Sequence, residues 1–175
     1  MRKRVQIITN DGEIITEKNM SYTNVMGEDG YRIPYHKSGA RTFADISFPK
    51  SMSDAEIGKM TRLANLMIGK TNMLGYRKGR GIEAYTENEI INIVGLQHRQ
   101  GRQFLRKMYD LRIMRKTEVG IYINPKYFMT AGQRLTLDLF LIFREDLKGF
   151  LPDWVLSEFI RQASIKAEVK KNERL

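Results

Sequence analysis

The chain has no cysteine, so disulfides and thiolate-held metals are excluded. It has two histidines, His36 and His98, which cannot form a His-x-His metal pair. That argues against a relaxase-like nicking enzyme built on such a pair. No Gly-x-Ser-x-Gly elbow is present to expose a serine nucleophile. The tetrapeptide IGKT at 68–71 ends like a phosphate-binding loop, but Ala64 stands where that motif needs its first glycine. A helix rather than a strand is also expected before it. Asp45, Asp54, Glu56, Glu83, Glu87 and Glu89 show no spacing for paired carboxylate catalysis, and Tyr122 and Tyr127 are expected to pack rather than react. The expectation is therefore not an enzyme, with no cofactor and no metal. Long apolar runs are missing too. None is long enough to span a bilayer, and the apolar part of the opening MRKRVQIIT is too short for a secretion signal. A cytoplasmic protein with no membrane partner is the plain expectation.

Acids are the other scarcity. Lysine and arginine number 30 against 20 aspartates and glutamates, giving a net charge of +10 and a pI near 9.8. Such a balance suits a polyanionic partner. Its location is more telling than its size. Residues 97–116 hold seven bases and one acid, a net of 7 − 1 = +6. The bases are Arg99, Arg102, Arg106, Lys107, Arg112, Arg115 and Lys116; the acid is Asp110. Smaller clusters sit at Arg2, Lys3, Arg4 and at Arg77, Lys78, Arg80.

With 175 residues, 42% apolar and 29% charged, the chain is long enough for one extended globular domain or two small ones. VQIITNDGEIIT (5–16) places two apolar-rich runs around Asn10, Asp11 and Gly12, a hairpin signal. RTFADISFP (41–49) reads as a further strand. Ser53 and Glu56 form a capping box, and Ile57, Met60, Ala64, Met67 and Ile68 recur at helical spacing; the prediction is a helix over about 54–69. GYRKGRG (75–81) reads as a basic glycine loop, for which phosphate contact and an exposed linker are equally open. EVGIYINPKYF suggests two short strands joined by a turn near 118–120. RLTLDLFLIFREDL (134–147) alternates like a strand but is leucine-rich and poor in β-branched residues, so helix is preferred. Pro152 suits a first helical turn, with Val155, Phe159, Ile160 and Ala163 as an apolar stripe to about 168; the tail KAEVKKNERL is expected to fray. Phe150, Trp154 and Phe159 fit a core or a homodimer interface, and dimerisation is favoured.

The stretch TENEIINIVGLQHRQGRQFLRKMYDLRIMRK (86–116) carries the functional reading. Thr86 and Glu89 repeat the capping-box pattern ahead of Ile90 and Val94. Gly95 suits the left-handed position that ends a helix, and a second helix runs from about Gln97 to Asp110. Two helices around a short glycine turn make a helix-turn-helix unit. Gly101, Phe104, Leu105, Met108 and Leu111 fall on one side of the second helix. His98, Arg99, Arg102, Gln103 and Arg106 fall on the other, with no acid among them. Ordinary solvated faces mix signs. Guanidinium and amide groups bridge phosphates and pair bidentately with guanine or adenine edges in the major groove.

EIINIVGLQHRQGRQFLRKMYDLRIMRK resembles the winged helix-turn-helix of bacterial regulators such as the MarR family. Residues 41–147 resemble the RepL-type plasmid replication proteins of Gram-positive bacteria and related phage proteins. NMLGYRKGRG, IVGLQHRQ with FLRKM, and IYINPKYFM followed by LTLDLFLIF carry that likeness. Two positions depart from the pattern. Gly101 sits where an apolar side chain is usual; it costs a helix about 1 kcal/mol relative to alanine unless it serves close helix approach. Arg112 stands where MarR-like chains have an exit glycine.

The resulting expectation is an α+β fold: a β-rich N-terminal arm over 1–50, a winged helix-turn-helix over 51–130, and C-terminal helices over 131–175 serving dimerisation. His98, Arg99, Arg102, Gln103 and Arg106 are assigned to the groove of double-stranded DNA. Arg115, Lys116 and Thr117 are assigned to the wing, and Arg77, Lys78 and Arg80 to phosphates. The resemblance implies origin binding that supports replication initiation and recruits host proteins. A transcriptional regulator on operator DNA uses the same surface. An adaptor binding a host polymerase or replication factor is the reading from another class. RNA binding is disfavoured, because no ribonucleoprotein-type aromatic strand motif appears.

Overall fold

The structure is a computed structural model that describes residues 2–8, 14–21, 26–27, 30–31, 47–68, 71–129 and 133–172. Among these residues the chain is α+β, with five helices and four two-stranded antiparallel sheets. Strand β1 (Arg2–Ile8) pairs with β2 (Ile14–Ser21), and β3 (Met26–Gly27) with β4 (Gly30–Tyr31). The expected pairing of the first two runs is present; their turn at Asn10, Asp11 and Gly12 lies outside the described residues. So do His36 and most of the strand expected over 41–49, and Ser47 to Pro49 are not in a strand.

Helix α1 (Asp54–Ala64) starts on the expected capping box. The Ser53 amide donates to Glu56 Oε2 at 2.8 Å, and the Glu56 amide donates to Ser53 Oγ at 3.3 Å. The helix ends five residues earlier than the 69 expected. Met67 and Ile68 are spent on a reversal instead: Met67 bridges Leu74, and the Ile68 amide donates to the Met73 carbonyl at 2.8 Å. Gly69 and Lys70 of the IGKT tetrapeptide lie outside the described residues.

The segment expected as a glycine loop is a hairpin. Strand β5 (Gly75–Lys78) pairs with β6 (Gly81–Ala84), and Gly79 makes the turn at φ +59°. Two helices follow, α2 (Glu87–Ile93), which starts on the Thr86–Glu89 capping box, and α3 (His98–Asp110), which has no side-chain cap. Between them Gly95 takes φ +70°, and the Leu96 amide donates to the Ile91 carbonyl at 3.2 Å. Strands β7 (Met114–Lys116) and β8 (Ile121–Ile123) form the expected second hairpin. Thr117 closes its turn: its hydroxyl accepts from the Val119 and Gly120 amides and donates to the Gly120 carbonyl. The segment before β5 lies against β8, with the Leu74 amide donating to the Ile121 carbonyl at 2.8 Å.

The leucine run is a helix, α4 (Leu137–Leu147), capped by Thr136. Leu135 stays outside it and pairs with Tyr31 through bonds of 2.8 and 2.6 Å. Helix α5 (Asp153–Asn172) runs past residue 168, where fraying was expected.

Two apolar clusters result. The first joins α1, α2, α3, β7 and β8 through Met60, Leu63, Ile90, Phe104, Met108 and Ile123. The second joins Tyr31, α4 and α5, with Phe140 stacked on Phe159 at 4.5 Å between ring centres. Trp154 sits at its edge, its ring set edge-on to Tyr31 at 5.8 Å.

Candidate nucleic-acid interface

The first question is what aims α3. Gly101 is buried where α2 crosses, and a Cβ there would lie 2.4 Å from Ile91 Cγ2. That is far inside van der Waals contact, so only glycine lets Ile91 seat against α3. Phe104, Leu105 and Met108 bury the rest of the inner face. With that face fixed inward, helical spacing places His98, Arg99, Arg102, Gln103 and Arg106 outward, and all five are exposed.

Arg99, Arg102, Gln103 and Arg106 form no ion pair or side-chain hydrogen bond among the described residues. His98 Nε2 lies 3.3 Å from Asn88 Oδ1. The bases after Arg106 are different. Lys107 donates to both Glu56 carboxylate oxygens at 2.8 Å and to the Ser51 carbonyl at 2.7 Å. The Lys107 ammonium and the Ser53 amide hold the Glu56 carboxyl below the usual carboxylate range. Arg112 and Arg115 converge on Asp146 at 3.3 Å each, and the Asp146 side chain is only 6% exposed. Arg115 also donates to the Ile142 carbonyl at 2.6 Å and lies over the Phe143 ring. That carbonyl adjoins Phe143, whose φ −114° and ψ 20° put a kink in α4. Lys116 pairs with Glu87 at 3.1 Å.

These contacts redistribute the expected site. Arg115, assigned to the wing, reaches the C-terminal helices and ties β7 to α4. Thr117 serves the turn. Lys116 keeps an exposed side chain. On the β5–β6 hairpin, Lys78 is paired with Glu83 at 2.7 Å, and the Tyr76 hydroxyl bonds the same carboxylate. Arg77 and Arg80 are exposed and form no such bond among the described residues.

Between α3 and the second hairpin lies an open recess of about 310 Å³. Its lining combines residues 85–88 with Arg102 of α3 and Lys116 of β7. Glu87 supplies the one carboxylate there. It also accepts from the Tyr109 hydroxyl at 3.2 Å. Burial, with that neighbouring carboxylate, pushes the Tyr109 hydroxyl far above its ordinary value.

Sequence reasoning missed several of these residues. Asn72 is fully buried at φ +56°, and its amide nitrogen donates to the Ile123 carbonyl at 2.9 Å and the Phe128 carbonyl at 2.7 Å. Asparagine tolerates that backbone region better than most residues, which is the one signal the sequence carried. Nothing local marked Glu87 or Asp146 as partners of distant bases.

Among the described residues no group of His, Cys, Asp or Glu could hold a metal ion, and no helix is long and apolar enough to cross a membrane. No family model, curated protein or solved structure matches the chain.

Proposed function

We propose that the chain binds double-stranded DNA, using α2 and α3 as a helix-turn-helix and the β7–β8 hairpin as the wing of a winged-helix domain. One observation carries the proposal: the outer face of α3 is exposed, free of acid before Asp110, and its three arginines have no internal partner among the described residues. A protein that needed those charges for its own stability would have paired them. An α-helix fits the major groove, where arginine and glutamine form bidentate contacts with base edges and bridge phosphates. The excess positive charge would speed the encounter.

The resemblance of residues 41–147 to RepL-type proteins supports one kind of site: an origin in plasmid or phage DNA, bound to support replication initiation. Operator binding by a transcriptional regulator would use the same face. A homodimer built on α4 and α5 would set two recognition helices on a two-fold site.

Selection of bound duplexes from random DNA tests the reading, and an enriched palindrome is expected. Affinity for the selected duplex should fall steeply with salt, and Arg102→Glu should abolish it while leaving the melting temperature unchanged. If that variant binds as tightly as wild type, α3 is not the recognition helix.

A further inference from the structure

We propose that the recess between α3 and the second hairpin seats one backbone phosphodiester of bound duplex DNA, clamped between Arg102 and Lys116 and gated by Glu87. The proposal rests on the DNA-binding reading and deepens it, because it moves Arg102 from reading bases to holding the backbone.

The two cations come from different elements and meet only in the folded chain. Arg102 lines the recess and has no ion pair or side-chain hydrogen bond among the described residues. Lys116 lines it too and is 60% exposed at its side chain. Two other polar side chains of the lining, Thr86 and Asn88, are occupied locally. The Thr86 hydroxyl donates to Glu89 Oε2 at 2.8 Å and accepts from the Glu89 amide, and Asn88 faces His98. What remains to meet an anion is a pair of cations, with Tyr85 in the same lining.

Glu87 sets the selectivity. Its pair with Lys116 is solvent-exposed on both sides, and such pairs contribute little, so Lys116 can exchange the carboxylate for a phosphate at small cost. The exchange does not orphan Glu87. The Tyr109 hydroxyl donates to the same Oε1 atom that Lys116 uses. Until then the carboxylate opposes any anion entering the recess. A free phosphate ion meets two cations and one acid. A phosphodiester of a duplex already held by Arg99 and Arg106 is delivered at high local concentration. The arrangement therefore favours a backbone phosphate of DNA over phosphate in solution.

The test uses the full chain and a duplex selected from random DNA, with single phosphates replaced in turn by neutral methylphosphonates. Wild type should lose about five-fold in affinity, near 1 kcal/mol, at one backbone position per bound subunit. Lys116→Gln should lose a similar factor on the unmodified duplex and nothing further at that position, while Lys116→Arg keeps wild-type behaviour. Glu87→Gln should tighten binding several-fold. Circular dichroism melting controls for folding.

Losses that simply add for Lys116→Gln at every position would overturn the recess alone, as would weaker binding by Glu87→Gln. Saturation of the recess by millimolar inorganic phosphate without DNA would make it a general anion site, and the proposal would fall. Failure of wild type to bind any duplex would remove the DNA-binding reading and the recess with it.

Discussion

Residues 99–106 and residues 107–116 look alike in composition and behave differently. The first span has three arginines, the second has two lysines and two arginines, and the sequence presents them as one basic stretch. In the structure Arg99, Arg102 and Arg106 meet no internal partner among the described residues, whereas Lys107, Arg112, Arg115 and Lys116 each meet a carboxylate. The lesson is that a count of charge says nothing about its availability. The helix periodicity turns the first three toward solvent. The second group lies where α3 and β7 run against α1, α2 and α4, and acids from those elements claim it.

The comparison breaks most directly in a pair of triple variants. Changing Arg99, Arg102 and Arg106 to glutamine should cost about a hundred-fold or more in duplex affinity and flatten the salt dependence by up to about three units of slope. Stability should hold, because exposed positions without partners contribute little. Changing Lys107, Arg112 and Arg115 to glutamine should do the reverse: a loss of about 1–2 kcal/mol in chemical denaturation, discounted for their partial exposure, with the salt slope kept. If both triples behave alike, the division is wrong.

Next in size is Gly101, which holds the unpaired face outward. Gly101→Ala would gain helix propensity of about 1 kcal/mol in an open helix, but here the new methyl meets Ile91 and overpacking costs about 1–3 kcal/mol. Net destabilisation is expected in urea unfolding, partly reversed by adding Ile91→Ala. A stabilised single variant would show that the crossing is looser than the geometry requires.

A smaller effect separates Glu56 from solvent acids. Its folded pKa is depressed by Lys107, so its contribution is present above the unfolded value and lost as pH falls through the folded one. Unfolding midpoints measured from about pH 5 down to pH 3 should decline less steeply in Glu56→Gln than in wild type. The smallest effect belongs to Arg112, a non-glycine at φ +56°. Arg112→Gly removes backbone strain of about 1 kcal/mol and loses an ion pair made by an exposed guanidinium, while Arg115 still holds the buried Asp146, so a slight rise in melting temperature is expected.

What could be read from the sequence was what is encoded locally. Both capping boxes, Gly95 and the helical reading of the leucine run depend on residues within a turn or two of each other, and all are present. The hairpin at 75–84 escaped because four-residue strands offer too few alternations to outweigh three glycines. The end of α1 escaped because Met67 and Ile68 fit a helical stripe but bond across a reversal. Ion-pair partners were out of reach in principle. Lys107 finds Glu56 51 positions back, and Arg112 finds Asp146 34 positions ahead, distances that no periodicity reports. The face of α3 was legible; that its arginines stand alone was not.

The pairing of Tyr31 with Leu135 has a consequence in time. Those residues are 104 positions apart, and the first apolar cluster lies wholly between them in sequence. As the chain leaves the ribosome, that intervening cluster is complete once Phe128 has emerged. The second cluster still lacks Phe140, Phe143 and Phe159 at that moment, and Tyr31 has nothing to dock on. Domains assemble as units in order of synthesis, and closing a loop is cheaper when its interior is already compact. The earliest residue of the second cluster is thus among the last to find its place, so its capture marks the end of folding rather than its start.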